Sequence, residues 1–384
     1  MVWGERMKKR YLIILLVVFS ILLISSVFFG LTVKSWHYKS VAIVGEQGGF
    51  SSLALDSEGH PHIAFISHNH TIATDTDILM YATLNQSQWE INVIDSSWGI
   101  GSYFSLVLDS SGNPHVSYVD RSLDALKYAS LNGSKWIIEI LDSNLPVNSY
   151  PSQSLALDHS GKPHIAYIDA AEHALKYTVK TDTAWSIQTI ANDSNGNPNT
   201  FNSPSIALDA TDNPHISYID DSKNNGALKY ATWTDSNWNI QTVDYNESRI
   251  QTSLELDNKG NPHISYLCWN LTNYQLRYAD YTKNGWNIQI LDANASNPSL
   301  ALDSNGNPNI CYTQVTTAND FFKSENLKCA EWTGSSWSIK TIRANSWNPS
   351  LVLDSDSNPH ITFREDSNGG HGMVAEQLVY SFFG

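Results

Sequence analysis

His68, His70, Asp75 and Asp77 lie within ten residues as an H-x-H and a D-x-D pair. An extended backbone would put both side chains of each pair on one face, and imidazole with carboxylate is a ligand set for a divalent metal. A solvated polar loop is the competing reading. A second set of candidate groups recurs along the whole chain. The phrase LDSSGNPHVSYVD at 108–120 has counterparts in LDSEGHPHIAFIS, LDHSGKPHIAYID, LDATDNPHISYID, LDNKGNPHISYLC, LDSNGNPNICYTQ and LDSDSNPHITFRE. Its Asp falls at Asp56, Asp109, Asp158, Asp209, Asp257, Asp303 and Asp354. Its His falls at His62, His115, His164, His215, His263 and His360, with Asn309 in the sixth copy.

Alternating Asp and Asn invite a calcium loop, but seven equal sites on tight hairpins are a poor use of calcium. Architecture explains the phrase better. The Asp suits the first position of a type I turn, Gly supplies a left-handed residue, and Pro opens the next strand where its missing N–H does least harm. Asp212 and Ser357 stand in for the Gly in two copies. A ring of histidines invites a shared metal. Asn replaces His far better as a hydrogen-bonding group than as a ligand, so repeated bonding between strands is the expected role.

A third set has the chemistry of sugar recognition. Trp98, Tyr103, Phe104, Tyr150, Phe201, Tyr245, Trp269, Tyr274, Phe321, Phe322 and Trp347 fall in segments that differ between repeats. Near them stand Arg121, Arg249, Arg343, Arg364, Glu172, Glu247, Glu365 and Asp366. Aromatic rings stack on the C–H faces of sugars while amides and charged groups bond hydroxyls. The alternative is that individual rings fold inward as plugs.

These residues need a frame, and the period supplies it. The repeated Asp residues are 53, 49, 51, 48, 46 and 51 positions apart, a spacing that indicates a propeller or solenoid. Each period holds four short alternating runs: A (Ser-Leu-Ala-Leu), B (His-Ile-Ala-Tyr-Ile), C (Ala-Leu-Lys-Tyr-Ala) and D (Trp-x-Ile). Trp strands begin at Trp36, Trp89, Trp136, Trp185, Trp238, Trp286 and Trp337, and the last repeat ends after its strand C. The displaced Trp36 strand closes a ring and removes its open edges. The expected fold is all-β, a seven-bladed β-propeller over 36–384 with four antiparallel strands per blade. Residues 36–45 complete the blade formed by 350–384. The repeated Trp is expected to pack on its own sheet or on the next blade.

With A innermost, the short A–B and C–D turns share one end and the divergent B–C and D–A connections share the other, where binding residues are expected. In the sixth repeat, Cys311 and Cys329 take the facing positions held elsewhere by Ala166 with Tyr177 and Ser117 with Tyr128, which predicts a cross-strand disulfide. Cys268 is left over.

The chain has 23 Lys+Arg against 38 Asp+Glu. Without the first ten residues, which hold four basic and one acidic, the net charge is −18. Such a surface repels polyphosphate, so nucleic acid is not an expected partner. After basic residues 1–10, residues 11–33 are 23 uncharged, mostly apolar positions. That run is long enough for one transmembrane helix and lacks a small-residue cleavage site, so an uncleaved signal anchor is expected over a removed signal peptide. The basic cluster would stay cytoplasmic and the propeller extracellular, at the cell membrane. Only Lys34 and Ser35 separate the run from Trp36, so the short-turn end is expected to face the lipid. Seven N-x-S/T sequons fit an exported chain, a glycoprotein reading that the Asn-rich composition weakens.

The repeats resemble exported bacterial and archaeal β-propellers of the broad sialidase-like or BNR-like kind, which carry comparable LDxxGxPHIxY phrases. The resemblance covers 36–384 and implies the propeller fold. The sialidase S-x-D-x-G-x-x-W box does not occur in that form, so no catalytic residue carries over. Three functions remain open: a membrane-anchored recognition or adhesion domain for glycan or a surface protein, a carbohydrate-active lyase or glycosidase using the divergent face, or a scaffold subunit. The expected ligand-binding residues are Trp98, Tyr103, Tyr150, Tyr245, Trp269, Tyr274, Trp347, Arg249, Arg343, Arg364 and Glu365. No cofactor is implied beyond the divalent metal.

Overall fold

The computed structural model describes residues 34–44, 50–71, 74–97, 99–143, 145, 152–182, 184–193, 201–222, 226–245, 251–319, 322–366 and 376–384. The apolar run 11–33 lies outside them. Among the described residues no helix is long and apolar enough to cross a membrane. Two compact units are present, Tyr38–Phe382 and a small one that includes residues 34–37 and 383–384. In the small unit Ser35 and Gly384 exchange backbone hydrogen bonds of 3.0 and 3.2 Å, and the Trp36 and Phe383 rings lie 5.4 Å apart.

The large unit is the propeller. Its blades are four-stranded antiparallel sheets in the order A-B-C-D, for example Gln153–Leu157, Pro163–Asp169, Ala174–Lys180 and Trp185–Asn192. The seventh sheet has the order expected from the displaced strand: Ser346–Leu353, Pro359–Asp366, Glu376–Phe383, then Trp36–Ile43. Neighbouring inner strands pack on one another around the whole ring, Ser346–Leu353 against Ser51–Leu55 included. Strand B is buried on both faces, as in Pro163–Asp169, because a blade lies on each side. Strand D, at the rim, is half exposed.

The repeated phrase folds as its residues require. Gly112 N–H donates to Asp109 O at 2.9 Å, and Asp109 Oδ1 accepts the N–H groups of Ser111 and Asn113, both at 2.8 Å. Gly112 has φ +80°, and the substitutes Asp212 and Ser357 take +65° and +62°. Every strand B begins at its Pro. Two connections depart from expectation. SHNHTIATDTD and TQVTTANDFFKSEN are largely strand, as Pro61–Thr71 with Thr74–Asn85 and Pro308–Asn319 with Phe322–Trp332. Their Thr, Val and Ile content favours continuing the pleat over a loop. Cys311 and Cys329 stand directly opposite and form the disulfide; Cys268 is buried and outside any disulfide.

Candidate functional site

The inner strands surround an axis, and a serine on each ties it to the next. Ser52 Oγ accepts the N–H of Leu106 at 3.0 Å, Ser105 that of Leu155 at 3.3 Å and Ser154 that of Ile206 at 3.1 Å. Ser205 accepts from Leu254 at 3.0 Å, Ser253 from Leu300 at 3.1 Å and Ser299 from Leu351 at 2.9 Å. Ser350 accepts from Leu53 at 3.1 Å, which completes the circle. Seven inner-edge N–H groups are thereby satisfied by the neighbouring blade.

Toward the short-turn end, six blades share one arrangement. The His after Pro bonds a strand C tyrosine through Nδ1, as in His164 with Tyr177 at 2.6 Å and His360 with Tyr380 at 2.5 Å. His62–Tyr81, His115–Tyr128, His215–Tyr230 and His263–Tyr278 are the same bond. The far ring nitrogen faces the turn Asp, at 3.4 Å for His360 and Asp354. Each tyrosine packs edge-on against the strand D Trp of the next blade, as Tyr177 on Trp238 at 5.3 Å. The sixth blade lacks the set as a unit: Cys329 replaces the tyrosine and Asn309 the histidine. An Asp–His–Tyr chain has the outline of a proton relay, but burial pushes each tyrosine far up and each histidine down. These groups hold blades together; they do not face a substrate.

The other end of the axis opens into a cavity of about 220 Å³ to which all seven blades contribute. Phe50 and Tyr103 stack at 4.8 Å on one wall. Hydroxyls and amides from Ser152, Gln153, Ser203 and Thr252 line the next. Gln251 Nε2 donates to Asn297 Oδ1 at 2.6 Å, and Asn297 N–H to Gln251 Oε1 at 2.8 Å. Asn297 Nδ2 continues the arc to Asn348 Oδ1. Ser203, Asn297 and Asn348 have φ of +52°, +51° and +54° just before a proline, where the strand register slips. Every lining residue among the described residues is uncharged.

Of the described candidates, Tyr103 and Phe104 line this mouth. Trp98, Tyr150 and Arg249 lie outside the described residues, as do the side chains of His68, His70 and Asp75. The backbone register places His68 opposite Asp77 and His70 opposite Asp75. Trp269 and Tyr274 face each other across strands at 4.8 Å, and Tyr245 is exposed. Trp347 is opposite Arg364 in register. Arg364 departs from the expected loop face. It is buried in strand B at the position of Val119 and Ile168, aimed at the adjoining blade, with Nη1 on Glu376 at 2.6 Å and Nη2 on Ile66 O at 3.5 Å.

Arg343 and Glu365 belong to the seams between blades. At four seams a strand B tyrosine donates to the strand D Asp of the preceding blade: Tyr118 to Asp95 at 2.7 Å, Tyr167 to Asp142 at 2.6 Å, Tyr266 to Asp244 at 2.8 Å and Tyr312 to Asp292 at 2.5 Å. Lys127 bridges Asp95 and Asp120 at 2.9 and 2.7 Å. In the sixth blade Arg343 holds that Asp position and pairs with Glu365 at 2.9 Å, reversing the charges.

One residue of the axis escaped sequence reasoning. Glu255 stands where other inner strands carry Ala or Val; its signal was SLELD in place of SLALD. It is partly accessible, and burial pushes its carboxyl up to about 7. Among the described residues no group of three or more His, Cys, Asp or Glu could hold a metal.

No protein-family model and no curated protein matches the chain. Solved propellers do. An ulvan lyase, described as a new family of polysaccharide lyase bound to -[GlcA(1-4)Rha3S]-, is similar with a TM-score of 0.53 at 12% identity, covering 88% of this chain and 92% of its own. A mutant of AofleA from Arthrobotrys oligospora gives 0.51 at 12% identity, covering 82% and 91%. The Penicillium chrysogenum alpha-L-arabinanase complexed with arabinobiose gives 0.50 at 10% identity, covering 90% and 97%. At these identities the likeness is one of fold, and it agrees with the sialidase-like propeller resemblance.

Proposed function

We propose that this protein handles carbohydrate at the axial mouth, taking the end of a neutral glycan as a carbohydrate-active enzyme. The observation that carries the reading is the lining itself: a stacked ring pair facing an arc of hydroxyls and amides, with no charged side chain among the described lining residues. Rings offer a surface for sugar C–H groups, and pre-bonded amides keep spare donors for hydroxyls. Because all seven blades encircle the mouth, a chain enters end-on. Two of the similar folds are a lyase and an arabinanase, which supports an enzyme over a pure adhesin. Elimination by a lyase needs a uronate, which an acidic protein whose described mouth residues are uncharged does not attract; hydrolysis has no such need. The test is binding and reducing-end release on neutral and anionic oligosaccharides. Tyr103→Ala should weaken neutral-sugar binding about tenfold, ~1.4 kcal/mol. Unchanged binding would remove the mouth from the reading.

A recognition or adhesion domain is the second reading, favoured by the exposed Tyr245 and the Trp269–Tyr274 pair. Glycan binding without turnover would select it. We also propose that residues 11–33 anchor the propeller outside a cell membrane, and that His68, His70, Asp75 and Asp77 take a divalent metal. The facing register of the two pairs supports the metal. Zinc or calcium that leaves the melting temperature of the protein unchanged would count against it.

A further inference from the structure

At four seams a strand D Asp accepts the hydroxyl of a strand B tyrosine from the next blade. A strand C cation of that blade stands beside each Asp. It is Lys127 for Asp95 at 2.9 Å, Lys176 for Asp142 at 4.0 Å, Arg277 for Asp244 at 2.9 Å and Lys328 for Asp292 at 3.2 Å. Tyrosine and cation are direct cross-strand partners, as in Tyr118 with Lys127 and Tyr266 with Arg277.

Two seams have alanine in place of the Asp, and they differ in what is kept. Between the seventh and first blades all three members are apolar: Ala42, Phe65 and Met80 pack in one cluster. Between the third and fourth blades only the acid is replaced. Ala191 holds the register position of Asp142 and Asp244, opposite a strand C leucine. Tyr218 and Lys229 remain, still cross-strand partners. Ala191 packs in the same cluster as Tyr218, and the Phe201 ring lies 6.0 Å from the Tyr218 ring.

Tyr218 is 1% exposed, and no group among the described residues bonds its hydroxyl. Lys229 Nζ turns to Thr242 Oγ1 at 2.8 Å and pairs with no acid among the described residues. Asp120 and Asp169 hold Lys127 and Lys176 at 2.7 and 2.6 Å, whereas their counterpart Asp220 accepts from Ser222 instead. A desolvated hydroxyl and an ammonium that lack the same acceptor make a receptor for a carboxylate. Ala191 and Lys229 each keep part of their surface in solvent, so the place is reached from the rim.

We propose that this seam binds the carboxylate of a small organic acid or an acidic sugar, held by Tyr218 Oη and Lys229 Nζ where the adjoining seams use their own Asp. The site is separate from the axial mouth and does not rest on the carbohydrate reading. Formate is the smallest probe, because formate beside the Ala191 methyl reproduces an Asp side chain. The acidic protein repels anions over distance, so ionic strength must be held constant.

The experiment compares thermal melts of the full-length protein in sodium formate, acetate, glucuronate and chloride at equal ionic strength. Formate in about tenfold excess over its dissociation constant should raise the melting temperature about 2 °C more than chloride does. Tyr218→Phe and Lys229→Met should fold, because the seam between the seventh and first blades has Phe65 and Met80 at those places. Each should weaken formate binding about tenfold or more. Ala191→Asp should raise the melting temperature by itself and abolish the response, its own carboxylate taking the place. NMR titration with labelled formate reads the same affinities without unfolding the protein. A response that extends to glucuronate supports an acidic sugar, and one confined to formate and acetate supports a small acid. A formate effect no larger than that of chloride overturns the proposal. So does one that survives in Ala191→Asp or in the Tyr218→Phe, Lys229→Met double variant.

Discussion

Ser253 and Ser265 face each other across strands A and B of the fifth blade, on the side that meets the sixth. They are the same side chain with opposite expected effects. Ser253 Oγ accepts the N–H of Leu300, which is buried. Removing it as Ser253→Ala strands that donor, at a cost of about 2 kcal/mol. Ser265 Oγ is buried without a partner. In two other blades the equivalent serine has one on the next inner strand: Ser117 bonds Gln153, and Ser217 bonds Thr252 at 2.9 Å. In the sixth blade that position is Pro298. Ser265→Ala therefore removes a desolvated hydroxyl and should be neutral or stabilising by about 1 kcal/mol. With a melting entropy of roughly 2.1 cal/mol/K per residue over Tyr38–Phe382, 2 kcal/mol corresponds to about 3 °C. Calorimetry on both variants is the assay. A Ser265→Ala loss as large as that of Ser253→Ala, or no loss in Ser253→Ala, would refute the argument.

Stability should also decline with acid. His115 and its counterparts have pKa values below their ordinary 6.5 through burial, so the unfolded chain binds protons first and stability falls once pH drops below about 6.5. Burial pushes Asp109 up, but bonds from Asn113 and Ser111 win and hold it low, which adds a further loss below about pH 4. Denaturant midpoints that stay flat between about pH 8 and about pH 5 would contradict this. Combining Asn309→His, Cys311→Ser and Cys329→Tyr should restore the His–Tyr bond and be better tolerated than Cys329→Ala alone, as thermal melts would show. Deleting 34–45 should expose the edge of the seventh blade and lower the melting temperature or cause aggregation; an unchanged melt would deny closure by that strand.

Repetition made the ring legible. The displaced Trp36 strand, the seven prolines and the Cys311–Cys329 pair could all be placed because each has counterparts one period away. What joins one blade to the next was not legible. Ser253 and Leu300 are 47 residues apart, and nothing local marks a serine on an alternating strand as an acceptor for a distant N–H. The histidines were readable as bonding groups and the tryptophans as packing on their own sheet or a neighbouring blade, but the tyrosines that join the two were not. Arg364 was misread because a charged residue beside a divergent loop looks solvent-facing, whereas strand B is covered by a blade on each side. Glu255 was overlooked because the eye follows what a repeat preserves.

The seams bear on whether blades could be exchanged. Four junctions put an acid on the outer strand to meet a tyrosine, one puts Arg343 there to meet Glu365, and Arg364 with Glu376 marks another. A copy of the second blade moved into sixth place would set Asp142 against Glu365, two acids without a cation. Each blade thus carries an address, and the blades of this ring are not interchangeable.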